Sequence, residues 1–212
     1  NSDSYNADIA AGGRFVAFES YADNLVAGDQ NGYGDIFVRD LQTGQTELIS
    51  HAYDGSDGDS HSVEPVISSD GRYVAFHSSA SNLVPDDGNG WTNDIFLYDR
   101  QTGQMALISR NAGDSANDDS YLPSISHDGR YVGFGSYADN LVPSDQTGYS
   151  DIYVYDRVAG TIGLASANAA GQGGDLWSYS AALSGNGQKI AFVSASTNLI
   201  ANDTYGFDDV YI

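Results

Sequence analysis

Four stretches of this chain gather carboxylates and amides in the way a hard cation requires. Asp29, Asn31 and Asp35 stand around Gly32, and Asp87, Asn89 and Asp94 stand around Gly90. Calcium takes about six to eight oxygens from carboxylates, amides and carbonyls. A tight loop supplies them when alternate side chains turn inward and a glycine permits the bend. Asp145 and Asp151 bracket a third such loop, and Asp203 and Asp209 a fourth. Thr147 and Tyr205 replace the middle amide there, so these two are expected to bind calcium more weakly or not at all. The competing reading needs no metal: Asp and Asn side chains also accept hydrogen bonds from their own backbone in Asx turns.

An aromatic residue follows the glycine of each loop: Tyr33, Trp91, Tyr149 and Phe207. Gathered on one rim, these rings would stack against the C–H faces of a glycan; taken singly, each plugs its own repeat. Other chemistry is scarce. His51, His61, His77 and His127 show no metal-ligand spacing, and no nucleophile elbow, phosphate loop or dinucleotide fingerprint occurs. With 26 aspartates, carboxylate pairs arise by chance and diagnose nothing. No catalytic residue is assigned, and the segment is expected to be non-enzymatic.

The elements that carry these loops follow from a repeat. Gly13-Arg14-Phe15-Val16-Ala17-Phe18 returns at Gly71, at Gly129 and, altered, at Gly187, each step being 58 residues. The Asn-Leu pairs at 24, 82, 140 and 198 keep the same step, their amides reading as loop braces. Each repeat reads as four short strands. The first lies around Pro65 to Ser68 or Pro123 to Ser126, the second runs from Arg72 to Ser78, the third from Asp94 to Asp99 and the fourth from Met105 to Ser109. Asp70-Gly71 and Asp128-Gly129 are hairpin turns. Four antiparallel strands at this period describe the blades of an all-β propeller, whereas solenoid coils are shorter and lack hairpins. The chain reads as one propeller segment over 1–212, with blades about 1–58, 59–116, 117–174 and an incomplete 175–212.

Composition agrees. Lys and Met occur once each and Glu three times, while Gly, Tyr, Ser and Asn abound, the reverse of a helical protein. A hydrophobic fraction of 41% supports a core, and no apolar run reaches membrane-spanning length. The absence of cysteine excludes disulfides and thiol chemistry. A net charge of −21 argues against nucleic acid and anionic membranes as partners.

The string Ser-x-Asp-Gly-Arg-Tyr-Val-Ala-Phe, followed by Asp-Ile-Phe-Val-x-Asp and a Thr-Gly turn, resembles the WD40-like (PD40) repeats of TolB-like β-propellers. The resemblance spans all four repeats, though the period is longer than in TolB itself. It implies a secreted or periplasmic protein. The family hosts adaptors, peptidase propellers and polysaccharide lyases, so it does not fix the activity. The expectation is a calcium-stabilised binding or structural module engaging protein or glycan. The alternatives are the propeller portion of a secreted hydrolase or lyase, and a self-assembling extracellular fibre subunit. The fourth repeat stops at its third strand, Asp209 to Ile212. This leaves an edge that a longer chain, a second chain closing the ring, or strand exchange in a polymer would cover.

Overall fold

The computed structural model describes residues 1–111, 113–145 and 147–212. The described residues form strands, turns and loops and contain no helix, hence none long and apolar enough to cross a membrane. Blade 1 is β1 (Ser4–Ile9), β2 (Phe15–Ser20), β3 (Asp35–Asp40) and β4 (Thr46–Leu48). Blade 2 is β5 (Ser62–Ile67), β6 (Tyr73–Ser78), β7 (Asp94–Asp99) and β8 (Gln104–Leu107), and blade 3 is β9 (Ser120–Ile125), β10 (Tyr131–Ser136), β11 (Asp151–Asp156) and β12 (Thr161–Leu164). Blade 4 has three strands, β13 (Ser178–Leu183), β14 (Ile190–Ser194) and β15 (Asp209–Tyr211). Every sheet is an antiparallel meander in chain order. The first strands pack in succession, β1 on β5, β5 on β9 and β9 on β13. Two apolar clusters straddle blades 1 and 2 and blades 2 and 3.

The first strands start earlier than the sequence suggests. β5 and β9 begin three residues before Pro65 and Pro123, because each ladder continues across a bulge. The residue before each proline, Glu64 or Leu122, adopts positive φ (54° and 51°), as do Asn6 and Ser180 at the same repeat position. Proline fits such a bulge because no ladder bond needs its missing N–H. The outer strand of blade 2 ends at Leu107 rather than Ser109, which frees the Ser109 side chain for the loop described below.

Neighbouring blades interlock through an aromatic seated on a glycine. A Cβ on Gly71 would collide with the Phe15 ring, one on Gly129 with Tyr73 and one on Gly187 with Tyr131, each ring belonging to the preceding blade. All three glycines have positive φ (74°, 65° and 67°). Arginines hold the rings in place: the Arg14 and Arg100 guanidiniums lie 4.8 and 4.5 Å from the centre of Phe15, and those of Arg72 and Arg157 lie 4.8 and 4.1 Å from that of Tyr73.

Candidate cation-binding loops

In blades 1 to 3 the loop between the second and third strands is held from below by the third strand and from the side by the connector that follows. In blade 1, Asp35 is fully buried at the start of β3. Ser50 donates to its Oδ1 (2.6 Å) and the Asn31 amide to its Oδ2 (2.9 Å). The same amide donates to the Gly58 carbonyl at 3.2 Å. Blade 2 repeats this: Ser109 and Asn89 donate to Asp94 at 2.5 and 2.7 Å, and Asn89 to the Ala116 carbonyl at 2.7 Å. In blade 3, Ser166 donates to Asp151. Burial pushes all three carboxyls up, Asp35 and Asp151 to about 6 and Asp94 to about 7, with the serine donors offsetting part of the cost.

The four loops differ at the first aspartate. In blade 3 the buried Tyr153 hydroxyl donates to Asp145, and in blade 4 the Tyr211 hydroxyl donates to Asp203 at 2.8 Å. Asp145 and Asp203 also accept the backbone N–H two residues on, as Asx turns do. Blades 1 and 2 carry Phe37 and Phe96 in the tyrosine position and bring no hydroxyl. Asp29 is buried, and burial together with Asp57 and Asp23 raises its pKa. The Asn31 carbonyl is taken by the Tyr33 N–H at 2.8 Å. In blade 2 nothing takes it: Oδ1 and Oδ2 of Asp87 and Oδ1 of Asn89 are buried oxygens without a hydrogen-bond partner. Burial pushes Asp87 up to about 6; the Asn89 backbone N–H is near enough to lower it somewhat but makes no hydrogen bond.

Of the residues expected to ligate a metal, Asp35, Asp94, Asp145, Asp151 and Asp203 are occupied by protein donors and the Asn31 side-chain oxygen by the Tyr33 N–H. Asp29 is buried, Asp209 is exposed at the edge of blade 4, and Asp87 with Asn89 presents unpartnered oxygen. Among the described residues no three His, Cys, Asp or Glu side chains form a metal-holding group. A cation in blade 2 would therefore depend on one carboxylate, an amide oxygen and backbone carbonyls.

The four loop aromatics differ in their neighbours. Tyr33 packs edge-on against His61, with ring centres 5.0 Å apart, and Tyr149 against Trp177 at 5.2 Å. Phe207 stacks on Tyr205, and Trp91 is 65% exposed. The Asn-Leu amides do brace loops: Asn82, Asn140 and Asn198 each accept a connector N–H, from Asp59, Asn117 and Asp175, at 3.0, 3.1 and 3.2 Å. His77 is held neutral by burial, its pKa lowered to about 4, with Nδ1 3.6 Å from Glu64. Sequence reasoning missed the serines at 50, 109 and 166 and the phenylalanine-to-tyrosine alternation at 37, 96, 153 and 211. Both signals stand in the repeat, one two residues beyond each outer strand of blades 1 to 3 and one two residues into each third strand.

With this geometry in hand, comparison with known proteins is informative about the fold. No family model matches the chain, and no curated relative does. Among solved structures, TolB from Acinetobacter baumannii superimposes over 99% of this chain and 43% of its own, with a TM-score of 0.56 at 20% identity. The β-propeller domain of the trilobed protease from Pyrococcus furiosus, described as having an open velcro topology, matches over 99% of this chain and 53% of its own, with a TM-score of 0.58 at 16% identity. The fold is a β-propeller like that of TolB. The structure of Porphyromonas gingivalis dipeptidyl peptidase 4 superimposes over 89% of this chain and 29% of its own, with a TM-score of 0.54 at 14% identity. The chain thus spans about half the length, or less, of each of these structures.

Proposed function

We propose that this TolB-like propeller is a non-enzymatic binding or structural module of a secreted or periplasmic protein, with calcium stabilising the rim that engages a protein or glycan. One observation carries the reading: Asp87 and Asn89 bury three oxygens with no donor. A buried carboxylate without a partner costs several kcal/mol, and a divalent cation removes that cost. The loops without the middle amide support it by contrast. Where Thr147 and Tyr205 replace Asn89, the first aspartate receives a tyrosine hydroxyl instead.

A ligand that binds only the folded state raises its stability in proportion to the logarithm of ligand concentration. Thermal melts should therefore shift upward with millimolar calcium relative to chelator, and not with matched sodium. Superimposable curves would remove calcium from this account.

A further inference from the structure

The rim that carries the aspartate loops also holds a cleft between blades 3 and 4. It has a volume of about 490 Å³ and is lined by Tyr121, Tyr137, Ser150, Trp177, Tyr179 and Asp208. Trp177 and Tyr137 are half exposed, at 49% and 40%. Their neighbours fix them: Tyr121 and Tyr137 lie with ring centres 5.5 Å apart, and Tyr149 meets the indole of Trp177 edge-on. The Tyr121 hydroxyl is bonded to Ser150. A Cβ at Gly135 would come within 2.8 Å of the Tyr121 ring, so the ring depends on glycine where the other blades carry Glu19, His77 and Val193.

The equivalent places elsewhere are closed or bare. Between blades 1 and 2, His61 packs against both Tyr21 and Tyr33 and accepts the Gly34 N–H, filling the gap. Between blades 2 and 3 the same positions are Val63, Ser79 and Asp119, the last engaged with the Asn93 N–H.

We propose that the cleft between blades 3 and 4 binds an uncharged pyranose unit of a glycan. This deepens the reading above by naming the ligand class. Aromatic faces attract the apolar C–H face of a sugar ring, while Asp208 and the tyrosine hydroxyls at the edge take up its hydroxyl groups. A net charge of −21 disfavours uronates, sulfated sugars and nucleotides, leaving a neutral ring as the occupant. The volume falls in the range of small-ligand clefts and accommodates one or two sugar rings.

The test is calorimetric titration of the full chain with cellohexaose, laminarihexaose, maltohexaose and chitohexaose, followed by titration of variants with whichever binds. At least one should bind saturably with a dissociation constant of roughly millimolar or tighter. Trp177→Ala should weaken it roughly tenfold, and Tyr53→Ala, at an exposed aromatic of the connector between blades 1 and 2, should leave it unchanged. Asp208→Asn, an exposed change that does not threaten folding, should weaken it severalfold and decides the matter if Trp177→Ala fails to fold. Absence of binding by all four sugars, or binding indifferent to both Trp177→Ala and Asp208→Asn, overturns the proposal. The calcium-dependent melt is read without sugar, so either result can fail without the other.

Discussion

One hydroxyl distinguishes the four loops. Tyr153 and Tyr211 satisfy the aspartates of blades 3 and 4, whereas Phe37 and Phe96 leave those of blades 1 and 2 to find another partner. In blade 1 an Asx turn consumes the Asn31 carbonyl, so blade 2 retains the strongest demand for a cation. A second group of aspartates behaves in the opposite way. Arg14, Arg72 and Arg130 donate through Nε and Nη2 to the two carboxylate oxygens of Asp40, Asp99 and Asp156, with Nη2 distances of 2.7, 2.7 and 2.8 Å. These forks hold the carboxyls below their ordinary range, Asp99 and Asp156 at about 2 and Asp40 lower still. Because the folded pKa is depressed, their stabilisation is present above the ordinary carboxylate range, near pH 4, and is lost as pH falls toward 2. Melting temperature should therefore drop between pH 4 and 2, and less steeply in Arg72→Gln. The partly exposed arginines keep that difference small. An equal slope in the variant would show that the fork contributes nothing.

At the scale of elements, the aromatic-on-glycine contact sets the spacing of the blades. Gly129→Ala strains a backbone with φ of 65° and drives a methyl group into Tyr73, so it should cost about 1–3 kcal/mol. Gly113→Ala, at a position with open space around it, serves as the control. A denaturant midpoint unchanged in Gly129→Ala would show that the blades do not depend on this contact. The hairpins, the third strands and the bracing amides were legible in the sequence, because each rests on local turn chemistry or on alternation repeated every 58 residues. The start of the first strands was not. Pro65 and Pro123 look like strand openings, and only the cross-strand ladder from Ser62 to Ser78 and from Ser120 to Ser136 reveals the bulge around them. The cleft between blades 3 and 4 was also out of reach, since Tyr121, Tyr137 and Trp177 meet through the packing of separate strands.

For the molecule as a whole, the aspartate surplus has several separate uses. Some aspartates fork with arginine, some cap turns, and those at the start of β3, β7 and β11 are buried on serine hydroxyls. A net charge of −21 spread over 212 residues opposes compaction by self-repulsion, and the divalent cation proposed for blade 2 would offset part of it. The third strand of the fourth blade is an exposed edge, with Val210 72% exposed. The claim on which the reading turns is that unpartnered oxygen in blade 2 is a calcium site whose role tyrosine fills in blades 3 and 4. Calcium titration of the wild type and of Phe96→Tyr by calorimetry tests it directly. The account predicts a saturable site in the wild type, weakened at least roughly tenfold in Phe96→Tyr, whose new hydroxyl reaches Asp87 as Tyr153 reaches Asp145. No calcium binding in the wild type, or equal binding in both proteins, would contradict it.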